Sequence, residues 1–142
     1  MKELLDSLFC KLIQVQSLRI IDVKNQSWSG VANVSAITKS DTELVFEERG
    51  FWVHSGCTFS SVVIWKRNEG SISLSKYNPQ SLSAVHLVDF CGFSDSVLLA
   101  KSPHMCNLDC YSASLTLVEH KIVVCWNVFG PKKDQELLFT YE

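Results

Sequence analysis

Proline and glycine are scarce in this chain, three and six among 142 residues. Collagen-like and linker-dominated architectures need far more of both and are excluded. No apolar run approaches the roughly 20 residues that a membrane-spanning helix requires. The formal charge is only −2, so there is no excess of cations to exchange for the counterions of a nucleic acid. C-x-x-C pairs, glycine-rich phosphate loops, G-x-G-x-x-G turns and G-x-S-x-G elbows are all missing, which removes the common zinc, nucleotide and hydrolase signatures. What remains is a composition of 46% hydrophobic and 20% charged residues, values of a folded domain rather than a disordered chain.

Six cysteines stand at positions 10, 57, 91, 106, 110 and 125, most of them beside β-branched or aromatic neighbours. There a free thiol behaves as a small hydrophobe. The apolar N-terminal stretch is broken by Lys11 and Gln14, and no small-residue cleavage site follows it, so it reads as a helix of the mature protein. Reduced cysteines and a soluble, cytoplasmic protein are the expectation.

Residues 2–15 carry the one helical pattern: Leu4, Leu5, Leu8, Phe9, Leu12 and Ile13 form an apolar stripe opposite Lys2, Glu3, Asp6, Lys11 and Gln14. Beyond it the period changes to two, with strands expected near 17–24, 28–37, 43–54, 57–67, 70–77, 82–90, 95–101, 108–118, 121–129 and 134–141. Turn residues separate them, among them Asn25, Asn68-Glu69-Gly70, Asn78-Pro79 and Gly130-Pro131. A two-sheet sandwich and a closed up-and-down barrel both satisfy this pattern. Hairpin-length connections without a long crossover favour the barrel, which removes exposed edges. The expected fold is therefore an all-β, closed antiparallel barrel of about ten strands, lipocalin- or fatty-acid-binding-like, with a helix at one end. One domain spans 1–142, the helix 1–16 and the barrel 17–142. Gly30 and Gly50 interrupt strand patterns and suit bends where a sheet curls.

Chemistry concentrates in the last third, in His104, Cys106, Asp109 and Tyr111 and then in Trp126 and Gly130-Pro131-Lys132-Lys133-Asp134. Plain alternation puts His104 and Cys106 on one face and Asp109 and Tyr111 on the other. A bulge at Asn107-Leu108 would bring all four to one side, and a carboxylate beside His104 would orient its ring. Such a row can serve as a structural hydrogen-bond network, orient a ligand, or supply an acid/base pair. A metal centre is not expected, since His104, Cys106 and Cys110 spread over roughly 20 Å of extended strand. In the Gly130 segment the lysines are either solvated loop residues or one of them, Lys132 or Lys133, folds over a barrel mouth. Within Glu47-Glu48-Arg49 the face alternates; an inward Glu48 would need a partner, and Arg19 is the candidate. The four tryptophans are core by default, although indoles also line cavities.

These residues carry a resemblance to an uncharacterised family of small lipocalin-like barrels, catalogued as domain of unknown function 6314, spanning roughly Leu18 to Tyr141. It rests on Leu18-Arg19-Ile20, Ser29-Gly30, Phe46-Glu47-Glu48-Arg49-Gly50, Trp65, His86, the His104-x-Cys106-x-x-Asp109-x-Tyr111 row and Trp126-x-Val128-x-Gly130-Pro131-Lys132-Lys133-Asp134. The resemblance implies a calycin-type barrel and brings no activity with it. The reading is then a small, partly apolar ligand in the lumen, with no cofactor, metal, nucleic-acid or membrane partner expected. His104, Cys106, Asp109 and Tyr111 would orient the ligand, joined by Arg19, Glu48, His86, Trp126, Lys132 and Lys133. The rivals are an enzyme using His104 and Asp109 as an acid/base pair, and a barrel filled by its own side chains.

Overall fold

A computed structural model describes residues 2–142. The order is α1 (Lys2–Ile13), β1 (Ser17–Asp22), β2 (Ser29–Thr38), β3 (Glu43–Trp52), β4 (Thr58–Arg67), β5 (Ser71–Asn78), β6 (Ser83–Gly92), β7 (Val97–Ala100), β8 (His104–Cys106), β9 (Asp109–Val118), β10 (Lys121–Gly130) and β11 (Lys133–Tyr141). Every ladder is antiparallel and joins chain neighbours except β7–β9 and β1–β11, the last of which closes the sheet on itself. The barrel has ten staves, because β7 and β8 share one position beside β9. Leu99 pairs with Ser114 and His104 with Tyr111, so five steps on one side face three on the other. The surplus falls around Lys101-Ser102-Pro103, where a proline suits a break in pairing.

Alternation then decides what faces inward. On β3 and β4 the pairs Leu44–Trp65, Phe46–Val63 and Glu48–Ser61 share the inner side. Leu74 on β5 pairs with Val88 and continues that layer. Trp65 lies edge-on to Phe46 and Tyr141 and stacks with Phe90 at 6.4 Å. Its indole nitrogen is buried without a partner among the described residues, an exception to the rule that buried donors are satisfied. Leu5, Leu8, Phe9 and Leu12 of α1 join this core, so the apolar stripe seals one end of the barrel. Twelve residues are too few for a helix stable alone in water, and that burial is what holds it. Asp6 reaches Arg67, and Lys11 donates to the Glu119 carbonyl, tying the helix to the turns at this end.

Gly50 marks a tight bend. A Cβ there would overlap the Val31 carbonyl and Ala32, both backbone neighbours that cannot swing aside. Gly30 lies beneath the Trp52 ring, at 2.8 Å from where its own Cβ would be. Trp28, Trp52 and Phe59 stack in sequence at 4.3 and 4.7 Å, covering part of the barrel's other end.

Candidate functional site

The end away from the helix stays open. Among the described residues no ladder joins the outer half of β6 to β8, so the wall is also slit on that side. Inside lies a cavity of about 420 Å³, walled by Val63, Leu74, Val124, Trp126, Leu137 and Phe139. His104, Cys106 and Tyr111 border it near the opening, Lys76 on the wall opposite, and Glu48, Ser61 and Tyr141 deeper in. A larger concavity of about 590 Å³ lies outside, against the outer face of β1 to β3, and is lined by Arg19, Arg49 and Phe51.

Asn107 and Leu108 are the two-residue turn of a hairpin, not a bulge. Cys106 pairs with Asp109 and His104 with Tyr111, and residues paired directly across a ladder share a face. The expected convergence of His104, Cys106, Asp109 and Tyr111 on one side therefore occurs, but by chain reversal. Asn107 takes φ 57°, a left-handed conformation that asparagine tolerates. The next hairpin supplies the cation. Pro131-Lys132 turns the chain, Gly130 pairs with Lys133, and β11 carries Lys133 on the same side as Leu137 and Phe139. The Lys133 Nζ stands 3.4 Å from the Tyr111 hydroxyl and 3.5 Å from Asp109 Oδ2. A Cβ on Gly130 would overlap the Asp109 carboxylate, so only glycine leaves that side chain its place. The Tyr111 hydroxyl, and behind it the Asp109 charge, hold the Lys133 ammonium above the ordinary lysine range.

Asp109 thus turns to Lys133 rather than to His104, and among the described residues the expected imidazole–carboxylate pair is not formed. The His104 ring instead sits 6.1 Å from the Tyr111 ring, edge-on, and Tyr111 is edge-on to Trp126 at 6.5 Å.

Glu48 faces inward and is 3% exposed. Its partners are Ser61 Oγ, donating at 2.7 Å, and the Tyr141 hydroxyl, donating at 2.9 Å. Burial raises its pKa above the ordinary carboxylate value, against the two hydrogen bonds and the Lys76 charge. The same burial, with the Glu48 charge, pushes the Tyr141 phenol well up.

Three expectations need correction. Arg19 is not the partner of Glu48: it alternates with buried Leu18 and Ile20 and so stands on the outer wall. His86 is not a lumen group either. Simple alternation from Phe90 and Val88 would turn it inward, but Leu87 is an extra residue at a register shift, and beyond it the faces exchange. His86 then bonds Asp89 at 3.0 Å on the outside, while Ser73 first and His86 second hold that carboxyl below its usual value. Lys132 is an exposed turn residue, and Lys133 is the lysine on the lumen side. Lys76, Ser61 and Tyr141 were missed, although Lys76 shares the parity of Ile72 and Leu74, and Tyr141 that of Leu137 and Phe139. All six cysteines are unpaired thiols.

A model described as a family of unknown function (DUF6314) matches residues 15–142. The chain belongs to this family. The match begins after α1 and takes in every strand. No curated protein matches the chain. Similar solved structures include designed barrels. The redesigned barrel mFAP1, bound to DFHBI, has 7% identity and a TM-score of 0.52, covering 94% of this chain and 95% of its own. EF1p2_mFAP2b, also bound to DFHBI, has 6% identity and a TM-score of 0.54, with 97% and 98% covered. The redesigned barrel b11L5F_LGL has 10% identity and a TM-score of 0.52, with 94% and 91% covered. At such identities the likeness is one of fold.

Proposed function

We propose that this barrel binds one small, partly apolar molecule in its lumen and is lipocalin-like in that sense. The observation that carries the reading is the interior cavity of about 420 Å³, inside the range of roughly 300–1,000 Å³ common to small-molecule sites. Apolar walls with a few convergent polar groups are the usual make-up of such a site. That two barrels of this architecture are bound to DFHBI supports a small-molecule role. His104, Tyr111 and Lys133 orient the ligand's polar end at the opening, Lys76 faces them, and Cys106 and Asp109 complete that side. Trp126 forms part of the wall, and Glu48 offers a hydrogen-bonding group at depth. Arg19, His86 and Lys132 have no part in it. The six unpaired thiols support a reducing, cytoplasmic setting.

Native mass spectrometry of protein purified without denaturation tests the reading. The expected result is a mass excess of one small molecule, removed by extraction with organic solvent. A bare protein mass, together with no saturable uptake of the apolar anionic dye anilinonaphthalene sulfonate, overturns it.

A further inference from the structure

The two ends of the barrel differ in charge and in what their turns expose. At the open end the turns cover 23–28, 53–57, 79–82, 107–108 and 131–132, and they contain Lys24 and Lys132 but no aspartate or glutamate. At the helix end the turns 39–42, 68–70, 93–96 and 119–120 carry Asp41, Glu69, Asp95 and Glu119 against Lys39. Lys24 is paired with Asp134, Lys133 with Asp109, and Lys76 faces the lumen, while Lys132 at the rim and Lys101 beside the slit are cations in no ion pair among the described residues.

Apolar side chains cluster at this same end. Leu82 and Leu108, in two separate turns, are 76% and 74% exposed, and Phe129 is 70% exposed. Met105 and Phe129 flank Cys110 in register on the outer face, next to the Leu108 turn. Across the slit, Leu82 stands in the turn before β6, so the apolar residues form a collar around the opening. Leu82 has φ 55°, where leucine is strained and asparagine or glycine would be ordinary. A solvent-facing side chain gives the fold no reason for that choice. The exposed Phe93 and Val118 at the helix end lie within two residues of Asp95 and Glu119, which make no ion pair among the described residues, whereas Asp109 beside Leu108 is paired with Lys133.

We propose that the open end docks on a bilayer surface containing anionic lipid, with Leu82, Leu108, Met105 and Phe129 entering the headgroup layer and Lys101 and Lys132 meeting its phosphates. The collar is a set of projecting tips rather than a groove, and a headgroup layer admits tips one by one. Apolar residues beside cations are what interfacial binding uses. The acids at the far end orient the molecule with its collar toward a negative surface. Docking does not depend on the lumen holding a ligand, but it places the slit at the membrane, where an apolar molecule passes without crossing water.

The test is co-sedimentation of the intact chain with vesicles of phosphatidylcholine, alone and with phosphatidylserine added. Wild type is expected to sediment with the serine-containing vesicles and less with phosphatidylcholine alone. Leu82→Asp combined with Leu108→Asp, both exposed and the first suited to its positive φ, should weaken this by roughly tenfold or more while the melting curve holds. Lys101→Glu with Lys132→Glu should remove the preference for serine lipid, and Phe93→Asp should change nothing. No sedimentation with either vesicle, equal sedimentation with both, or a loss in Phe93→Asp equal to that of the leucine variant overturns the proposal.

Discussion

At the helix end the inward positions of the strands are Leu44, Trp65, Ile72, Phe90, Leu98 and Leu115, all fully buried. At the open end the same inward parity presents Lys76, His104 and Tyr111 around a cavity, with the Asp109–Lys133 pair beside Tyr111. One set of strands, alternating with a single exchange of faces at Leu87, makes a sealed floor at one end and a receptive chamber at the other. Stability and site chemistry are separated along the barrel axis. Substitutions at the two ends should therefore differ in kind, with stability lost at one and binding at the other.

The largest expected effect is at the sealed end. Leu8→Ala removes a fully buried side chain from the helix plug and should cost about 2–5 kcal/mol in denaturant unfolding. A loss below about 1 kcal/mol would mean that the helix is not part of the core. Two glycines sharpen the contrast next. Gly50→Ala meets backbone and should destabilise by about 1–3 kcal/mol, whereas Gly130→Ala meets the movable Asp109 side chain. The second should cost less and act at the site, separating Asp109 from Lys133. Equal unfolding losses in the two variants would erase the distinction between wall and mouth.

Glu48 sits at the boundary between the two regions. Its folded pKa is raised, so the unfolded chain releases the proton first as pH rises. The stability tied to this group is complete below the ordinary carboxylate value near 4.3 and is lost as pH rises through the elevated folded one. Glu48→Gln should flatten that fall, which thermal melts between pH 4 and 8 would show as a narrowing gap and then a reversal in favour of glutamine. Identical pH profiles would mean that the carboxyl is not desolvated. The smallest structural effect is expected for Lys133→Met. Its ammonium is solvent-exposed and should leave the melting curve where it is, while lowering affinity for anionic ligands.

The period-two pattern located all ten staves and the helix stripe because burial on one face imposes it directly. The short strand β8 escaped notice, since His104-Met-Cys106 is too brief to show a period and Asn-Leu is not a common hairpin turn. The convergence of the His104 row was legible in outcome but not in cause. Arg19 was misread although its neighbours Leu18 and Ile20 already fixed its face, whereas the outward turn of His86 depends on a bulge at Leu87 that no residue type announces. Lys76 was legible and overlooked. An apolar collar built from separate turns leaves no hydrophobic run, and so the search for a membrane span could not reveal it.

Titration with anilinonaphthalene sulfonate, on wild type and on Val124→Phe, tests the hollow open end most directly. Val124 is 1% exposed and lines the cavity, so phenylalanine there fills space without touching the rim. The account predicts saturable one-to-one binding to wild type, weakened roughly tenfold or more in a variant that still melts cooperatively. Binding of equal strength to both proteins would contradict it.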